Sequence, residues 1–182
     1  MDTKFLIAQL PFLFVVILLV VKLLLGYKRG LVKELCGIVA TIFAAAIVLL
    51  IAFAMRQYFN EDRLVFVTTL VLLFLLIVLY KVVNTFLTGL KIFSKVPGLN
   101  LVDKILGPVL GFVETILIVW AVFCLVIIMD MGAFENLMML SVRNNIVMKY
   151  LYMYNYMFGI VQQFSVNLKD LRLMDKIEEL VR

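Results

Sequence analysis

The chain has 182 residues, 65% of them apolar and only 16% charged, with a formal net charge of +5, whereas soluble domains run near 45–50% apolar and about 25% charged. That balance excludes an ordinary soluble domain and points to a membrane protein. The basic excess implies no nucleic-acid partner, which would need a basic patch on a soluble face with stacking aromatics or a reading motif. Here the lysines track the edges of apolar runs, so the expected partners are the lipid bilayer and, at the basic loops, anionic lipids.

Apolar runs at roughly 5–25, 31–54, 64–87 and 105–129 are each long enough to cross a hydrocarbon core about 30 Å thick as a helix. Short segments alternating apolar and polar residues, the mark of a membrane barrel, are not seen. The expected fold is all-α and polytopic, with four transmembrane helices followed by interfacial amphipathic helices at the C-terminus. Lys4 precedes the first run, as in a secretory signal. The run is too long for one, no small-residue cleavage pattern follows, and the basic cluster lies on its C-terminal side, so a retained signal-anchor is expected.

The stretch "GYKRGLVKEL", Gly26 to Leu35, leaves room only for a tight turn and predicts an antiparallel hairpin of spans one and two. Arg29 and Glu34 are placed to pair across the bend, where an exposed pair contributes little. The turn carries Lys28, Arg29 and Lys33, and the segment after span three carries Lys91, Lys95 and Lys104. On the opposite side stand Lys4, Arg56 and Arg63. Basic loops stay cytoplasmic, so this imbalance predicts both basic loops inside and both termini outside. "TGLKIFSKVPGLNLVDK" reads as an interfacial stretch breaking at Pro97-Gly98.

In span four, Asp103 is expected to cap the helix and Pro108 to fall in its first turn. Gly107 and Gly111, one turn apart, offer a flat strip for close helix approach, either within the chain or in a homo-oligomer. Glu114 lies about nine residues into the span, roughly 13 Å along it. A carboxylate at that depth costs several kcal/mol unless paired, protonated or hydrated. Lys81 of span three is expected at a similar depth and is the predicted partner, with Asn84 adding a hydrogen bond one turn away. Two readings stand. Glu114, Lys81 and Asn84 form a polar site that gates or relays protons or a small cation, as in a small oligomeric transporter or channel subunit. Alternatively, the ion pair fixes the register of two helices, with Lys81 reaching toward the headgroups.

Beyond Asp130-Met131-Gly132, "SVRNNIVMKYLYMYNYMFGIVQQF" is rich in Tyr and Met and is expected to form one or two helices on the outer membrane face. "NLKDLRLMDKIEELVR" places Leu168, Leu171, Met174, Ile177 and Leu180 at helical spacing, behind Asn167 as a cap. The expected division is therefore a four-span domain, 1–132, and an extracytoplasmic helical tail, 133–182.

The chain has no histidine, which removes the commonest general base and metal ligand. Cys36 and Cys124 fall in different spans without CxxC spacing, as buried small residues do. With no P-loop, no HExxH and no cluster of acids facing one site, neither an enzyme nor a cofactor nor a metal is expected.

"RGLVKE" opening span two (Arg29, Gly30, Glu34) and "DKILGPVLG" opening span four (Asp103, Gly107, Gly111) give the chain its resemblance to the colicin V production (CvpA) family, over roughly Phe5 to Met129. The resemblance implies a multi-pass protein of the bacterial inner, or plasma, membrane. It further implies a role in toxin or bacteriocin production and envelope maintenance, exercised through an export or envelope partner and without an established reaction. Where the family often carries a basic residue and a glycine after the second glycine of this motif, Glu114 and Thr115 stand here.

Overall fold

A computed structural model describes residues 9–56, 62–89, 100–130 and 132–164. All regular elements among them are helices: α1 Leu10–Arg29, α2 Leu31–Arg56, α3 Asp62–Gly89, α4 Asn100–Met129, α5 Ala133–Asn144, α6 Ile146–Met153 and α7 Tyr156–Phe164. The first four are long and apolar enough to cross a membrane, over Leu10–Arg29, Leu31–Met55, Val67–Thr88 and Lys104–Met129. The four expected spans are therefore present. The expected helix at 167–182, the basic stretch 91–99 and Lys4 lie outside the described residues.

The chain separates into two compact units that cut the long helices partway along. Among the described residues, one contains 14–48, 71–89 and 100–119, the other 9–13, 49–56, 62–70, 120–130 and 132–164.

In the first unit, α1 and α2 are separated by Gly30 alone, at φ 79°. This is left-handed backbone, which glycine adopts without the steric cost of a side chain. The Gly30 amide donates to the Gly26 carbonyl (3.0 Å) and the Glu34 amide donates to the Gly30 carbonyl (3.3 Å). A one-residue break thus reverses the chain with little loss of backbone hydrogen bonding. Contacts with α4 fix the directions. Gly26 meets Gly107 while Lys22 meets Gly111, so α1 runs against α4; Gly30 lies near Gly107 and Gly37 near Glu114, so α2 runs along it. The expected antiparallel hairpin follows.

Helix α4 begins earlier than its apolar run suggests, because Asn100, Leu101 and Val102 already continue the helix. Asp103 consequently lies inside the helix rather than before it as a cap. Pro108 is an interior residue, not a first-turn one as expected, and cannot donate to the carbonyl four residues earlier.

The second unit is built on the C-terminal half of α4, where Ala121 and every residue from Phe123 to Met129 is buried. Asn145 and Asn155 divide the Tyr/Met-rich stretch. The Asn145 Oδ1 accepts from the Val147 and Met148 amides (2.9 and 3.4 Å) and starts α6. Asn155 Oδ1 accepts from the Met157 amide (3.1 Å) and starts α7. In the sequence these asparagines look like interruptions; structurally each caps a new helix, giving three helices over 133–164. They pack on α4: Met148, Tyr152 and Phe158 are buried, and Tyr152 meets Phe123 edge-to-face at 5.4 Å.

Candidate functional site

The polar residues of the first unit converge on Glu114. Gly107 and Gly111 lie two and one helical turns before it on α4 and form the strip that lets α1 approach. A methyl group on Gly26 would collide with the Gly107 carbonyl, one on Gly107 with the Gly26 carbonyl, and one on Gly111 would stand 2.7 Å from the Lys22 carbonyl. Backbone meets backbone here, as small residues permit between membrane helices. The strip is thereby filled from within the chain.

This approach delivers Lys22 to the carboxylate. Its Nζ stands 2.6 Å from Glu114 Oε1, with both side chains buried. Nζ also donates to the Tyr80 hydroxyl at 3.1 Å and lies 4.8 Å from the centre of that ring. On α2, Thr41 Oγ1 donates to Glu114 Oε1 at 3.2 Å. One turn earlier on that helix, Gly37 leaves the space the carboxylate occupies, since a Cβ there would be 3.0 Å from Oε1. A further turn back is Glu34, fully buried and close enough to Glu114 for the two carboxyl charges to interact. Four helices each place at least one polar side chain on this spot: Lys22 from α1, Glu34 and Thr41 from α2, Tyr80 from α3 and Glu114 from α4.

The predicted pairing is corrected in one partner. Glu114 is buried and ion-paired as expected, but with Lys22, not Lys81. Lys81 is exposed on α3, on the side that carries exposed Phe74, Ile77, Val78 and Val82. Asn84 is half-buried with its Oδ1 unpartnered, and its backbone carbonyl accepts from Thr88 Oγ1 at 2.6 Å; it makes no part of the Glu114 cluster. The Arg29–Glu34 pair expected at the surface is not one: Arg29 is exposed, whereas Glu34 turns inward. Sequence reasoning missed Lys22, Gly37, Thr41 and Tyr80. The available signal was Lys22 itself, a charge within span one, one turn from Gly26 and two from Gly30 on the same face.

The described residues contain no group of three or more His, Cys, Asp or Glu side chains placed to hold a metal ion. Two further hydroxyls in the spans are satisfied locally. Thr115 Oγ1 donates to the Gly111 carbonyl and Thr69 Oγ1 to the Val65 carbonyl, both at 2.8 Å.

Four membrane-length helices, with a charged cluster buried among their polar faces, define a multi-pass membrane protein with an internal ion pair. Residues 13–155 match the model of the Colicin V production protein family. That is well over half of the chain, and the protein belongs to this family. Neither a curated protein nor a solved structure matches it.

Proposed function

We propose that this protein is a non-enzymatic component of the bacterial inner (plasma) membrane that supports toxin or bacteriocin production or export and keeps the envelope intact, working through an export or envelope partner. The observation that carries the proposal is the family match across 13–155, which covers the first span from residue 13 and the other three whole. The geometry is compatible in character: two buried charges of the spanning helices, Lys22 and Glu114, are directed at one another, as in a scaffold whose helix register is set by a buried pair. In this reading the turn carrying Lys28, Arg29 and Lys33 is cytoplasmic and both termini are extracytoplasmic. The test is a deletion strain complemented with wild type or Glu114→Gln at equal membrane abundance, scored for secreted toxin and for exclusion of an impermeant dye. Restoration of both by wild type is expected; a deletion that leaves both unaltered overturns the proposal.

A second reading, a small oligomeric transporter or channel subunit, is favoured by one observation: three ionisable side chains, Lys22, Glu34 and Glu114, are buried within the spanning segments, and intramembrane charge is a functional hypothesis by default. Cation flux in proteoliposomes separates the two readings. Flux that depends on Glu114 favours the second, and its absence the first.

A further inference from the structure

The Glu114 cluster has an unbalanced charge. Two carboxyls, Glu34 at 1% exposure and Glu114 at 0%, face one ammonium, Lys22 at 7%. The hydrogen-bond pattern is equally one-sided. Glu114 Oε1 receives both Lys22 Nζ and Thr41 Oγ1, while Glu114 Oε2 and Glu34 Oε1 are buried with no donor at all. The other groups around the pair do not repair this. Lys22 Nζ is already engaged with Glu114 and with the Tyr80 hydroxyl. Arg29 acts on Glu34 only through its charge, from an exposed position at the end of α1.

An acceptor without a donor in a water-excluded interior costs the full desolvation of that oxygen, and two neighbouring carboxylates do not both ionise readily. One added proton addresses both problems. It neutralises one carboxyl, leaving one negative charge against Lys22, and it makes a donor where two acceptors stood.

We propose that Glu34 and Glu114, held around Lys22, form an exchangeable proton-binding site of one proton. With the proton bound, the O–H of one carboxyl donates to the carboxylate of the other; on release the proton passes to water as hydronium and the pair carries a second negative charge. Lys22, from α1, and Thr41, from α2, are positioning residues that keep Glu114 the more strongly solvated partner. This inference concerns the chemistry of the cluster and requires neither toxin production nor flux, so it stands or falls separately from the proposed function.

The experiment is infrared spectroscopy of the full chain in lipid nanodiscs, reading the carbonyl stretch of a protonated carboxyl and its shift in deuterated water, with carbon-13 glutamate to assign it. At neutral pH a glutamic-acid band equivalent to one carboxyl is expected, fading as the pH is raised. Glu34→Gln and Glu114→Gln each abolish it, because the remaining carboxylate has Lys22 to itself. Lys22→Met roughly doubles it. Glu34→Gln leaves the Lys22–Glu114 contact in place and decides the question if Glu114→Gln does not fold, and the labelled wild type needs no variant. The proposal is overturned if labelled wild type shows no such band between mildly acidic and neutral pH. It is also overturned if the band survives unchanged in Glu34→Gln, or if sodium chloride removes it at constant pH where choline chloride does not. That last outcome assigns the site to a metal cation.

Discussion

Helix α4 serves two regions that are held together by different physics. Around Glu114, glycines bring backbones into contact and a buried ion pair links the helices. Around Trp120 and Tyr152 there is no such approach. There the indole Nε1 donates to the Leu151 carbonyl at 2.9 Å, Asn155 Nδ2 donates to the Trp120 carbonyl at 3.2 Å, and the rings of Phe123, Tyr152 and Phe158 meet edge-to-face at 5.4 Å. The first region depends on specific partners, so removal of its counter-charges is expected to be costly. The second is a packed aromatic core with two directed hydrogen bonds, and its losses are smaller and more local.

This contrast is broken most severely by Glu114→Ala combined with Glu34→Gln, which leaves Lys22 buried without a counter-charge. We expect a loss of about 3–5 kcal/mol in unfolding measured in detergent, most of it recovered when Lys22→Met is added. Next comes Gly26→Ala, whose methyl group meets the Gly107 carbonyl. Overpacking of this kind costs about 1–3 kcal/mol, read as a lowered melting temperature, and an unaltered one would mean that α1 can move away from α4. In the aromatic region, Asn155→Ala removes the donor to the Trp120 carbonyl and the acceptor for the Met157 amide, costing about 1–2 kcal/mol. Its mark is faster amide exchange at the start of α7, with the Glu114 region untouched.

The smallest effect is expected at Tyr152, whose hydroxyl is buried without a hydrogen-bond partner. Tyr152→Phe should be neutral or slightly stabilising, because it removes an unsatisfied polar atom. Burial, and secondarily the charge of Glu135, pushes the Tyr152 phenol up. The folded state therefore favours the neutral phenol. This contribution is fully present below the ordinary tyrosine value of about 10 and is lost as the pH rises through the higher folded value. In an absorbance titration Tyr152 should ionise above the ordinary tyrosine value, and ionisation at that value would show that this core is open to water.

The four spans were legible because length and composition alone decide them, and Glu114 because a carboxylate so deep in an apolar run needs a reason. The glycine strip was legible from its four-residue spacing, though not which helix would fill it. The partner of Glu114 was not legible from depth, since Lys22 and Lys81 both interrupt apolar runs. What distinguishes them is rotation about the helix axis. Lys22 shares its face with Gly26 and Gly30, the face that admits a neighbouring backbone, whereas Lys81 shares its face with bulky exposed apolar residues. Glu34 was misjudged for a related reason: its nearness in sequence to Arg29 suggested a surface pair, but Gly30 turns α2 so that Glu34 lies on the same face as Gly37 and Thr41.

The contact between Lys22 and Glu114 also sets a problem of timing during synthesis. The lysine emerges 92 residues before its partner, which at ~5–20 residues per second is an interval of roughly 5–20 s. Throughout that delay the first helix has to reside at the membrane with an ammonium that its eventual counter-ion cannot yet reach. Glu34, only 12 residues behind it and in the same hairpin, is the acid available to accompany it until the fourth span arrives.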